Sequence, residues 1–268
     1  PPEPALPAGI RYVMTLDADT RMTRGAVAKL VGKMRHPLNR PVVDAGGLLT
    51  GGHAILQPRV TASLTTGDDA SFFQRVFSTD RGMDPYVFAA SDVYQDLFGA
   101  GSFTGKGLYH VEAMEAATDG RIPENAVLSH DLLEGAYAHD ALASDVELVE
   151  DYPTRYSVDA SRNHRWTRGD WQLLPFIFGA SGIPALSRWK MIDNLRRSLV
   201  PIAFVLASIG GWTLLPFAEA AQWQVLLIFT LFCGLTFGLL DGSTRRSREV
   251  TATGHFASVG REFAFASA

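Results

Sequence analysis

The sequence predicts an α/β fold, a sheet flanked by helices, with a pair of long apolar helices after it. Three observations carry that prediction. Arg11–Leu16 is rich in β-branched and aromatic residues, and after it Val27, Leu30, Val31 and Met34 recur at helical spacing, so a strand is followed by an amphipathic helix. Two carboxylates, Asp17 and Asp19, stand at the switch between them. In open α/β sheets the crevice outside the carboxyl ends of strands is where ligands bind. Toward the other end, two long uncharged runs follow one another.

Taken in order, residues 1 to 9 carry four prolines and read as a connector. Pro37 and Pro41 close the first helix, and the glycines between Asp44 and Gly52 mark a loop. His53–Gln57 reads as a second, buried strand stopped by Pro58, and Thr61 to Ser71 as loop or helix entry. Phe72, Phe73, Val76 and Phe77 fall on one helical face and are expected in the core. The run Gly99–Gly107 invites comparison with a phosphate-binding loop, but Ala100 and Gly107 stand where that pattern needs Gly and Ser or Thr. It reads instead as a flexible loop that brings backbone N–H groups, Gly105 and Lys106 near a substrate, or as an ordinary tight turn. Asp131 opens a helix, where it can be a functional carboxylate or an N-cap. Val146–Val149 is a third strand. Asp159 to Leu174 has helical character, with Arg162, Arg165, Trp166 and Gly169 on one face, a stripe that suits a phosphate and a sugar ring or a solvated arginine face.

Charge and cysteine content narrow the classes. With 24 Lys+Arg against 28 Asp+Glu the formal net charge is −4, which gives no footprint for nucleic acid. The single cysteine, Cys233, excludes a disulfide framework or a thiolate metal site. No N-terminal stretch pairs a basic flank with an apolar run, and Pro1 suggests a chain that begins partway through a longer one.

One chemistry would use all these groups together. Transfer of a sugar from a nucleotide diphosphate needs a cation on the leaving diphosphate, a base for the attacking hydroxyl and a platform for the acceptor. Asp17 and Asp19 would hold Mg²⁺ or Mn²⁺, Asp131 would be the base, and Arg162 and Arg165 would neutralise the departing charge while Trp166 stacks on a sugar.

The ordered D-x-D, the later Asp at a helix entry and Arg162-Asn163-His164-Arg165-Trp166 resemble the D-x-D, T-E-D and Q/R-x-x-R-W motifs of inverting family 2 membrane glycosyltransferases. Here Ser129-His130-Asp131 stands in place of T-E-D. Ser91–Tyr109, Pro123–Gly135, His164–Pro175 and Trp189–Arg197 narrow the likeness to the glycosyltransferase domain of cyclic β-1,2-glucan synthases, over roughly residues 10 to 200. The resemblance implies a GT-A-like domain, a Rossmann-like mixed sheet lacking its N-terminal part, over residues 1–195. It implies UDP-glucose as donor, a growing β-glucan as acceptor, and the remaining parts of the same full-length synthase as partners. Another family 2 synthase making a β-1,3 or β-1,4 polymer, or a nucleotide-sugar-binding module without activity, are the alternative readings. If such an enzyme primes synthesis on itself, Tyr86, after Asp84-Pro85, is the expected glucan anchor, and Tyr94 is expected to pack instead.

Leu199 to Ala218 and Ala220 to Leu240 are uncharged over 20 and 21 residues, each about 30 Å as a helix, enough to span a bilayer. Arg196 and Arg197 precede the pair, Arg245, Arg246 and Arg248 follow it, and only Glu219 lies between. Residues 196–248 are therefore expected to form a transmembrane hairpin in lipid with both basic ends cytoplasmic, and by the resemblance in a bacterial inner membrane. A buried helical hairpin is the alternative. Residues 249–268 carry no readable signal.

Overall fold

A computed structural model of the chain describes residues 9–63, 70–77, 93–123, 125–128, 131–179, 182–244 and 251–267. Its centre is a five-stranded mixed sheet of order β1-β6-β5-β7-β2, made by β1 (Tyr12–Thr15), β2 (Thr20–Met22), β5 (Ile55–Ala62), β6 (Gly107–His110) and β7 (Asp140–Glu150). Strands β5 and β7 run parallel, and the other pairings are antiparallel. A second sheet is the hairpin β3 (Val42–Val43) and β4 (Leu49–Gly51), where the glycine-marked loop was expected. Asp44 Oδ1 closes its turn by accepting from Gly46 N at 2.8 Å and Leu48 N at 2.9 Å.

The sheet must curl. Strands β1 and β2 lie at its opposite edges, which a flat five-stranded sheet would hold about 19 Å apart, four spacings of about 4.8 Å. Five Cα steps join Thr15 to Thr20, at most about 18 Å fully extended, and they are turned, since Thr20 N donates to Asp17 O at 3.1 Å. The bend sits at Pro58. There the β5/β7 register jumps from Pro58 opposite Ala143 to Arg59 opposite Glu147. Pro58 therefore does not stop the strand; it occupies an irregularity, the place in a sheet where a missing N–H is tolerated.

Helices cover both faces. α1 (Ala26–Met34) buries Ala26, Leu30 and Met34 against Leu56, Leu108, Ala141 and Val146, each leucine of that cluster contributing about 1.5–3 kcal/mol of burial. Val27, expected on the same face, is exposed. The opposite face packs Ile55, Phe103, Leu133, Tyr137, Phe176, Met191 and Leu195. It draws on α4 (Val111–Thr118), α5 (Asp131–Ala138), α7 (Leu174–Phe178) and α8 (Ala185–Leu214). Ile55 and Leu56 point to opposite faces, as the two-residue period of a strand requires.

At α2 (Phe72–Phe77) the expectation of an aromatic core face fails at its first member. Phe72 is 83% exposed, while Gln74 is buried and donates through Nε2 to Tyr152 O at 2.9 Å. The side chains of Val76 and Phe77 lie outside the described residues.

The apolar hairpin is present with different limits. α8 ends at Leu214 and α9 (Phe217–Thr244) begins after Pro216, not around Glu219. Proline cannot continue a helix and forces the residue before it out of helical backbone, and Leu215 is extended. Glu219 falls in the first turn of α9, where the helix dipole favours it. Trp223 of α9 packs on Gly211 and donates through Nε1 to Ala207 O at 2.9 Å, which is why small residues occupy this stretch of α8. Among the described residues one helix, Ala185–Leu214, is long and apolar enough to cross a membrane; the described apolar part of α9 is Phe217–Phe232. Residues read as silent form α10 (Ala252–Ser267).

Candidate active site

The two D-x-D aspartates sit in the turn that crosses the curled sheet from β1 to β2, so the switch is strand to strand, with the helix only afterwards. Strand β2 is three residues long and exists through its pairing with Leu148–Glu150 at the end of β7. That pairing carries Glu150 to the aspartates. One carboxylate oxygen from each of Asp17, Asp19 and Glu150 lies within 4.8 Å of the other two. Glu150 had no place in the sequence reading, although it carried the signal used for Asp17, a carboxylate at the carboxyl end of a strand.

Lys106, buried beside this cluster, reaches Asp17 Oδ2 at 3.1 Å and Glu150 Oε1 at 3.7 Å. Arg162 Nη2 donates to Asp19 Oδ2 at 3.1 Å, and its guanidinium lies 5.6 Å from the Trp166 ring centroid. Burial pushes the Glu150 carboxyl above the usual range, Lys106 and Arg162 pull it down, and the charges of Asp19 and Asp17 push it up again. Three hard oxygen donors this close together could hold a divalent cation such as Mg²⁺ or Mn²⁺, and the Lys106 ammonium already lies against two of them.

The glycine-dense segment is a strap between α3 (Val93–Phe98) and β6. Buried Gln57 of the central strand holds its middle, where Oε1 accepts from Thr104 N at 3.0 Å and Thr104 Oγ1 at 3.2 Å. Gly105 then turns with φ +84°, and a Cβ there would stand 3.0 Å from Asp131 Oδ2. A side chain at position 105 would therefore displace the carboxylate. Asp131 opens α5 and is half-buried, so Gly105 and Lys106, neighbours in sequence, touch the candidate base and the carboxylate cluster respectively.

Of the stripe on α6 (Tyr156–Gln172), Gly169 is buried, Arg162 and Trp166 are half-buried and Arg165 is exposed. The structure thus brings Asp17, Asp19, Gly105, Lys106, Asp131, Arg162 and Trp166 into one region and leaves Arg165 exposed on α6. Tyr86 lies outside the described residues. Tyr94 packs, as expected, with its ring centroid 4.7 Å from Lys190 Nζ, although Phe98 of the same helix is exposed.

The chain matches no protein-family model. It is 59% identical over 256 residues, 95% of its length, to the cyclic beta-(1,2)-glucan synthase NdvB of Rhizobium meliloti (strain 1021). The chain spans about 9% of that protein's length.

Proposed function

We propose, from the premise that this chain is a homologue of a segment of cyclic beta-(1,2)-glucan synthase, that it forms the GT-A-like part of such a synthase. It would transfer glucose from UDP-glucose to a growing β-1,2-glucan with inversion, at the cytoplasmic side of the inner membrane. The observation that carries the reading is the convergence of Asp17, Asp19 and Glu150 with Lys106 and Arg162, one residue along the chain from the Gly105–Asp131 contact.

The division of labour follows from charge and reach. Mg²⁺ or Mn²⁺ held by Asp17, Asp19 and Glu150 would supply neutralisation of the diphosphate as its bond to the sugar breaks. Lys106 and Arg162 add two positive charges at the cluster, one on Asp17 and Glu150 and one on Asp19, and would meet the phosphate oxygens of the donor. Trp166 offers its face to an acceptor sugar, with Arg165 at the outer edge. Asp131 takes the proton of the acceptor hydroxyl, and a single base suffices when the anomeric centre inverts. The uncharged runs Leu199–Ala218 and Ala220–Leu240 lie in lipid on this reading, with the other segments of the full-length synthase around them.

The test is transfer by the full-length synthase in membranes, read as labelled glucose entering glucan from UDP-glucose. Asp131→Asn should keep UDP binding and lose transfer by a factor of about 10² to 10⁴, the usual size of a general-base contribution. Near-wild-type turnover in that variant refutes the assignment.

A further inference from the structure

We propose that Lys190 is a positioning residue through which helix α8 holds the catalytic strap, so that the seating of α8 sets the alignment of Gly105 and Asp131. The step to catalysis rests on the functional reading above; the mechanical tie does not.

Lys190 is 4% exposed. Its ammonium donates to Ala100 O at 3.1 Å and to Gly101 O, and lies over the Tyr94 ring. A lysine so buried is costly to desolvate, and an apolar side chain of the same length would fill the space without that cost. What the ammonium adds is direction, since two carbonyls of the strap are pinned to one atom of α8. From Gly101 only four residues lead to Gly105, a reach of at most about 14 Å. Gln57 fixes Thr104 between them. Gly101 has no freedom to drift inward, because even a Cβ there would stand 2.6 Å from Asp140 Oδ2. Gly101 N also donates to Asp140 O at 3.0 Å, so loss of the Lys190 tie removes one of three holds on this short strap, and the slack is taken up at the turn that follows the Gln57 clamp, at Gly105 beside the Asp131 carboxylate.

Helix α8 also grips the other side of the site. Seven residues on, about 10.5 Å along the same face, Arg197 faces Asp170 of α6 at 3.9 Å, and the next residue, Ser198, accepts from Trp171 Nε1 at 3.1 Å. The same α6 carries Arg162 and Trp166. The uncharged run of α8 begins at Leu199, so Lys190, Arg197 and Ser198 all lie on the part of the helix outside the bilayer core.

The experiment uses full-length synthase in membranes, with rates normalised to the number of UDP-binding sites. Lys190→Met should lower kcat ten- to a hundredfold, the cost of misplacement by about 1 Å. The UDP-glucose KM should stay within twofold, because Asp17, Asp19 and Glu150 are carried by β1, β2 and β7 and not by the strap, and Lys190→Arg, which keeps charge and donors, should recover kcat to within threefold of wild type. A Lys190→Met enzyme with more than a third of wild-type kcat overturns the proposal, as does a parallel loss of kcat and UDP affinity that Lys190→Arg does not rescue. If Lys190→Met yields no UDP-binding sites, Tyr94→Leu decides, with a three- to tenfold fall in kcat supporting the tie and an unchanged kcat refuting it. A wild type that transfers no glucose from UDP-glucose contradicts the functional reading alone. Hydrogen exchange then tests the tie, which predicts tenfold faster exchange of the residue 99–107 amides in Lys190→Met and is overturned by equal rates.

Discussion

Gly105→Ala separates backbone strain from damage to the candidate base, because the strap contains its own control. Gly99 and Gly105 both have positive φ, +67° and +84°, so alanine at either should cost roughly 1–2 kcal/mol of stability. Only Gly105 faces something. A Cβ there would meet Asp131 Oδ2, Cγ and Oδ1 at 3.0, 3.1 and 3.2 Å, whereas nothing lies within 4 Å of one at Gly99. The Asp131 carboxylate must yield by a few tenths of an ångström or turn away. A base displaced from hydrogen-bond reach of its proton forfeits part of a 10²- to 10⁴-fold effect, so Gly105→Ala should lower kcat about 10- to 100-fold, about 1.4–2.7 kcal/mol of barrier. Gly99→Ala should leave kcat within twofold. The assay pairs initial rates of glucan formation with the thermal midpoint of each variant in detergent. Equal kcat losses in both variants, or wild-type kcat in Gly105→Ala, would refute the reasoning.

Glu150→Gln keeps the shape of the side chain and removes one of three charges from the cluster, so the Mn²⁺ concentration for half-maximal rate should rise about tenfold, about 1.4 kcal/mol, in a metal titration of initial rates. Arg162→Lys keeps a charge near Asp19 but loses the planar fork and the contact with Trp166; kcat/KM for UDP-glucose should fall about tenfold, read from the substrate dependence of the rate. Burial pushes the Asp170 carboxyl up to about 6, with Arg197 opposing. A raised folded pKa stabilises below the ordinary carboxylate range and loses that contribution as pH rises toward about 6, so the thermal midpoint of Asp170→Asn should gain on wild type between about pH 4 and 6 and then level off.

What the sequence shows and what it hides divide along the line between local and non-local physics. Asp17 and Asp19 are visible because β1 is a local run of strand formers, and Asp131 because it opens a helix. Arg162 and Trp166 are visible because four residues are one turn. Strand β2 is invisible, since Thr20–Met22 becomes a strand only by pairing with Leu148–Glu150, far along the chain, and Glu150 is lost with it. The passage of β5 through Pro58 depends on an irregularity in β7, which composition does not encode. Buried polar residues were missed for a related reason. Gln57 closes a run read as a buried strand and Lys190 had no role in the sequence reading, and only the folded chain shows them holding Thr104 and the carbonyls of Ala100 and Gly101. In the apolar hairpin the charge pattern located the connection at Glu219, whereas the backbone constraint of Pro216 decides it.

The central claim is that Asp17 and Asp19 hold a divalent cation for the donor diphosphate. The most direct measurement is UDP affinity of the full-length synthase with Mn²⁺ and with a chelator, in wild type and in the Asp17→Ala, Asp19→Ala double variant. Wild-type affinity should fall at least tenfold on chelation, about 1.4 kcal/mol, while the double variant binds weakly and equally under both conditions. A wild type indifferent to chelation, or a double variant that still tightens with Mn²⁺, contradicts the account.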